Sequence, residues 1–179
     1  GLTVYLQDQE WLTGEEALLS ASKPCEGNMN YTLRVETSTR RMILKQARPW
    51  VEKYDDIAAP SERAVVEGLF YQLIEHTPAL QAQMPRLLGF DSQSRLLMLE
   101  DVGTGSDYTG LYSGEILTSE ELETLISFLS TLHASFLDSN RDGRFNNQAM
   151  RQLNHQHIFQ IPLERENGLD LDLITPGLS

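Results

Sequence analysis

Hydrophobic positions along the chain change period several times, and each change marks a predicted element. Residues 3–11 carry a helical apolar spacing that stops near Gly14. Residues 17–22, 29–36 and 41–46 read as three strands, the last two joined by the polar turn Thr37-Ser38-Thr39. Arg48-Pro49-Trp50 ends the third strand, because proline has no N–H to give to a ladder. Pro60 and Ser61 open a helix with Val65, Val66, Leu69, Phe70, Leu73 and Ile74 on one stripe, and it stops before Thr77-Pro78. Residues 86–90 and 95–99 predict a hairpin around Asp91-Ser92-Gln93-Ser94. Gly103, Gly105 and Gly110 mark a linker. From Ser119 a long helix follows, with Leu122, Leu125, Ile126, Leu129 and Leu132 on one face. Past Asp142-Gly143 the pattern weakens to short helical pieces. The expected architecture is a five-stranded sheet with one inserted helix, a hinge, then helices only.

Composition changes this picture little. A chain of 179 residues with 40% hydrophobic and 22% charged positions can bury a core. The formal net charge of −12 argues against a nucleic-acid partner or an anionic membrane, either of which needs a basic face. It leaves polyphosphate open, since one lysine and a metal ion can hold phosphate inside an acidic protein. Cys25 is the only cysteine, so neither a disulfide framework nor a thiolate metal site is expected. No apolar run approaches membrane-spanning length and no leader pattern opens the chain, so the expected location is cytoplasmic.

The candidate chemistry centres on Lys45. Before it, Cys25-Glu26-Gly27-Asn28-Met29-Asn30 forms a glycine-centred turn in which Gly27 would permit positive φ and let amides approach an anion. The same Gly-Asn pair is also a common hairpin signal. Lys45 ends the apolar run Met42-Ile43-Leu44, and an ammonium at a buried strand end needs an anionic partner. Glu67 on the following helix is the first candidate and Glu62 the second; a lysine ending an edge strand would need neither. Glu100-Asp101 follows the apolar run Leu96-Leu97-Met98-Leu99. Two acids there either solvate a loop or belong to a segment whose main chain, residues 99–102, meets an adenine edge.

Taken jointly, these residues resemble the aminoglycoside-phosphotransferase-like small-molecule kinase superfamily, most closely its methylthioribose kinase branch. The resembling segments are Glu26-Gly27-Asn28-Met29-Asn30-Tyr31, Ile43-Leu44-Lys45-Gln46-Ala47 with Pro49-Trp50-Val51, Glu62-Arg63-Ala64 with Glu67, and Leu99-Glu100-Asp101-Val102, within residues 1–135. The resemblance implies an α+β, protein-kinase-like fold: a five-stranded antiparallel sheet plus one helix in residues 1–102, a hinge and linker in 103–118, and an incomplete helical lobe in 119–179. It implies that Gly27, Asn28 and Asn30 cover the phosphates of ATP, that Lys45 contacts them and pairs with Glu67, and that Met98, Leu99, Glu100 and Val102 line the adenine hinge. Mg2+ is the implied second cofactor, and the partners are the nucleotide and a small-molecule acceptor.

The chain departs from the family at the catalytic loop, which there runs His-Gly-Asp with Asn shortly after, followed by a metal-binding Asp. The four histidines here precede Thr77-Pro78, Ala134-Ser135, Gln156-His157 and Ile158-Phe159, and none has Asp two residues on. Asp170-Leu171-Asp172 reads as a solvated turn or helix start. The base and the metal ligands are expected beyond Ser179, since family members are considerably longer. The expected function is ATP-dependent phosphoryl transfer to a hydroxyl of a sugar, aminoglycoside or choline-like metabolite, with these 179 residues inactive alone. The alternative is a pseudokinase or regulatory nucleotide-binding module. Gly103-Thr104-Gly105 has Tyr108 where a dinucleotide-binding turn needs glycine, Tyr112-Ser113-Gly114 lacks nucleophile-elbow spacing, and His155 and His157 have no third ligand beside them.

Overall fold

Apolar alternation on the central strands builds two cores, one on each face of a five-stranded sheet, and this two-sidedness positions everything else. The computed structural model describes residues 1–24, 27–103, 105, 107–137 and 143–164. It divides into two units, Gly1–Asn146 and Asn147–Ser179. Helix α1 (Leu2–Asp8) opens the first unit. It is shorter than its apolar spacing predicts, because the backbone turns back at Glu10, whose φ is 59°, and Trp11 and Leu12 both donate to the carbonyl of Leu6.

Strands β1 (Leu18–Ser22), β2 (Tyr31–Thr37) and β3 (Arg41–Gln46) follow. A separate hairpin, β4 (Trp50–Val51) with β5 (Tyr54–Ala58), comes next and was not expected from the sequence. Pro49 and the pair Asp55-Asp56 interrupt the alternation that would have announced it. Then come α2 (Arg63–Ile74), the short α3 (Pro78–Gln81), β6 (Leu87–Asp91), β7 (Leu96–Glu100), a 3-10 turn (Tyr108–Ser113) and α4 (Ser119–Phe136). Pro78 stands in the first turn of α3, where a missing N–H costs nothing. The main sheet runs β1-β2-β3-β7-β6, antiparallel throughout. The chain is therefore α+β, with β3 at the centre.

On one face, Val35, Met42, Leu44, Leu96 and Met98 pack with Leu6 and Leu12 from the α1 segment. On the other, Leu97, Leu99 and Ala47 pack with Ala64 of α2, supported by Ile43, Tyr71 and Phe90. The face of α2 that meets the sheet differs from the expected stripe. Its buried positions are Arg63, Ala64, Gly68 and Ile74, while Val65, Val66, Leu69, Phe70 and Leu73 are half-buried. Small residues win the contact because they let the helix approach closely; a Cβ on Gly68 would lie 2.5 Å from the Phe90 ring.

α4 begins with a capping box, in which the Thr118 hydroxyl accepts from the Glu121 amide and the Glu121 carboxylate accepts from the Thr118 amide. Its Phe136 meets Phe70 edge to face at 6.3 Å. In the second unit, α5 (Gln148–His155) runs into a wider π-helical turn (Gln156–Gln160) and a 3-10 turn (Ile161–Leu163). Among the described residues, no helix is long and apolar enough to cross a membrane. The Asp170-Leu171-Asp172 segment lies outside the described residues.

Candidate functional site

Lys45 stands on β3, the central strand of the five. It pairs across to Thr32 of β2 and to Leu97 of β7, and strand parity turns it toward α2 together with Ile43. The close approach of α2 through Ala64 and Gly68 brings Glu67 over the same face. The Lys45 ammonium donates to Glu67 Oε1 at 2.6 Å. The two side chains are 31% and 25% exposed, so the pair is sheltered by the fold yet reachable from solvent. Glu62, the second candidate partner, binds Arg95 at 3.1 Å instead.

The residue that organises this region is Arg63, which sequence reasoning passed over as part of a motif. It is 7% exposed. Its Nε donates to Asn30 Oδ1 at 2.8 Å. One terminal nitrogen donates to the carbonyls of Arg48 and Pro60, at 2.9 and 2.8 Å. The other donates to the carbonyls of Met29 and Trp50, at 2.6 and 3.4 Å. All five donors of the guanidinium fork are thus used. Burial pulls Arg63 below its ordinary pKa, while the charges of Glu67 and Glu62 oppose that pull. Tyr71 is pushed up by burial and then by the negative field of Glu67. The available signal for Arg63 was its spacing, one helical turn before Glu67.

In the turn before β2, Cys25 and Glu26 lie outside the described residues. Gly27 is the residue that follows them. Glycine is needed there for room: a Cβ would stand 2.8 Å from the carbonyl oxygen of Asn30. The Asn30 side-chain carbonyl accepts from Arg63 Nε. The Asn28 carbonyl accepts from the Lys53 amide at 3.1 Å, so the unexpected β4–β5 hairpin is bonded to this turn. Cations gather beside it. Arg48 lies 4.1 Å and Lys23 4.7 Å from the centre of the Tyr31 ring, and both reach Glu52.

The expected hinge residues separate. Met98 faces the α1 core and is 1% exposed, on the side of the sheet opposite Lys45. Leu99 faces the Lys45 side, 6% exposed. Glu100 is committed to Arg86: its amide donates to the Arg86 carbonyl at 2.9 Å, and its carboxylate accepts from the Arg86 amide and guanidinium. Asp101 is held by Arg34 of β2. Val102 is 74% exposed and enters no hydrogen bond among the described residues. Its main chain is the part of this segment left open to a ligand edge. Leu97, paired with Lys45, shares that face with Leu99 and is fully buried against α2.

An ammonium with one open side, and a glycine-bearing turn leading into the neighbouring strand, are groups that could face an anion. A metal fares differently. Among the described residues, no group of three or more His, Cys, Asp or Glu side chains is placed to hold a metal ion. Comparison of the chain with protein-family models and with curated proteins returns no match.

Proposed function

We propose that this chain contributes the nucleotide-binding side of an ATP-dependent small-molecule kinase, with a protein-kinase-like arrangement of the kind found in the aminoglycoside-phosphotransferase-like superfamily. The observation that carries the reading is the strand-to-helix ion pair at 2.6 Å, on the central strand and still open to solvent. In this reading Lys45 neutralises phosphate charge and Glu67 holds the ammonium in place. The backbone around Gly27 faces the phosphates, and the half-buried Ile43, on the Lys45 face of β3, lies under the base. The exposed main chain at Val102 meets the base edge. Such a site lowers a phosphoryl-transfer barrier by positioning and charge neutralisation. The acceptor is a small metabolite with a free hydroxyl, and no step is assigned to a metal.

The test is calorimetric titration of residues 1–179 with magnesium-ATP, alongside Lys45→Ala. Wild-type binding lost in the variant is the expected result. Equal affinity of the two proteins, or no binding by either, would sink the reading. A second reading is a nucleotide-binding module without transfer. Incubation with magnesium-ATP and sugars, aminoglycosides or choline should accordingly give no product. Phosphorylated product that disappears in Lys45→Ala would show that the transfer chemistry resides in this chain.

A further inference from the structure

Arg63 is a buried cation whose five contacts go to acceptors of three separate segments: the turn before β2, the chain from β3 through β4, and the entry to its own helix. None of them is a carboxylate. A buried guanidinium satisfied only by neutral oxygens holds those oxygens in place, because moving any one of them leaves a buried N–H without a partner. One turn further along the same helix stands Glu67, whose charge acts on Arg63 while its carboxylate binds Lys45.

We infer that Arg63 is a positioning residue that couples the turn at residues 27–30 to the Lys45–Glu67 pair. The turn cannot lift without pulling Met29 and Asn30 from the guanidinium. The guanidinium in turn is anchored to the first turn of α2, the helix that aims Glu67. A ligand seated under the turn would therefore tighten the ion pair, and a broken pair would loosen the turn. The coupling rests on the nucleotide reading only for its affinity arm; the mechanical link stands apart from it.

Two measurements test the inference. The first is amide hydrogen exchange at residues 27–30 and at Lys53, whose N–H is bonded to Asn28. Arg63→Lys keeps the charge but loses the fork, and should speed exchange there at least tenfold while β3 and β7 amides stay unchanged. Asn30→Ala, which removes a single acceptor, should act in the same direction and serves if Arg63→Lys fails to fold. Glu67→Gln should also loosen the turn when Arg63 is intact. Unchanged exchange at the turn in Asn30→Ala and Glu67→Gln would overturn the coupling. The second measurement is magnesium-ATP affinity in a double-mutant cycle of Asn30→Ala and Glu67→Gln. The two effects should be non-additive by at least threefold with Arg63 and additive with Arg63→Lys. Additivity in both backgrounds overturns the inference. A wild-type protein that binds no nucleotide removes the functional reading alone, and exchange then decides the coupling.

Discussion

Arg34 Nε stands 2.9 Å from Asp101 Oδ2, tying the middle of β2 to the residue that leaves β7. A terminal nitrogen of the same guanidinium donates to Asp101 Oδ1 and to the Gly103 carbonyl, and the Gly103 amide also donates to Asp101 Oδ1. The Asp101 side chain is 2% exposed, so a carboxylate that the sequence leaves as a loop acid fixes the path of residues 101–103. Asp101→Asn keeps the shape but halves the pairing of a charged network. Unfolding in urea should show a loss of about 1–3 kcal/mol with an unchanged denaturant slope.

Lys45→Met separates binding from stability. Because the Lys45–Glu67 pair is partly exposed, its loss should change unfolding free energy by no more than about 1 kcal/mol. Magnesium-ATP affinity should fall at least tenfold in the same protein, equivalent to about 1.4 kcal/mol. A large stability loss with affinity retained would assign the pair to the fold alone.

The pH dependence of folding has two limbs with named owners. Burial would raise the Glu16 carboxyl, but donors from Thr37, Arg40, Thr39 and the Thr13 amide outweigh it and hold the group down at about 2. Asp91 is likewise held at about 2 against burial, by Ser94, Tyr5 and the Gln93 amide. Both folded values lie below the ordinary 4.5 and 3.8, so this stability is complete above those values and is lost as pH falls toward 2. Tyr5 is raised from 10.0 to about 12 by burial and by its bond to Asp91, so its contribution is complete below pH 10 and is lost on the way to 12. Denaturant midpoints measured across pH should show both limbs. Glu16→Gln should flatten the acid one and Tyr5→Phe the alkaline one.

Gly68→Ala probes the spacing between helix and sheet. The added Cβ would meet three atoms of the Phe90 ring at 2.5 to 2.7 Å. Overpacking of this kind costs about 1–3 kcal/mol, of which alanine's better helix propensity offsets up to about 1. Adding Phe90→Leu should recover most of the loss. The single variant should also weaken nucleotide binding, since it lifts the helix that carries Glu67, and failure to do so would detach the spacing from the site.

The order of strands and helices was legible because β2, β3 and α4 announce themselves by period and by polar turns. Lys45 and Glu67 were legible for a related reason: a charge at the end of an apolar strand requires an opposite charge nearby, and the next helix offered one. The facing of Met98 was not legible. Leu96-Leu97-Met98-Leu99 is apolar at every position, so parity is set only by register, which pairs Met98 with Leu44 and Leu97 with Lys45. Arg63 was hidden differently. An arginine at a helix start ordinarily reads as solvated, and the carbonyls that enclose this one come from residues 29, 48 and 50, which the fold alone assembles.

β3 is bonded along both edges, to β2 and to β7, so the backbone under Lys45 is fixed to the framework of the first unit. α2 belongs to no ladder. It rests on packed side chains, on the Arg63 guanidinium and on the Arg95–Glu62 pair at its start. The lysine is therefore the datum of this site and the glutamate its adjustable arm: a turn of the helix by one residue, about 100°, would carry Glu67 away without breaking a strand. Whatever governs the pair in the working protein has a single handle to grip, and that handle is the helix.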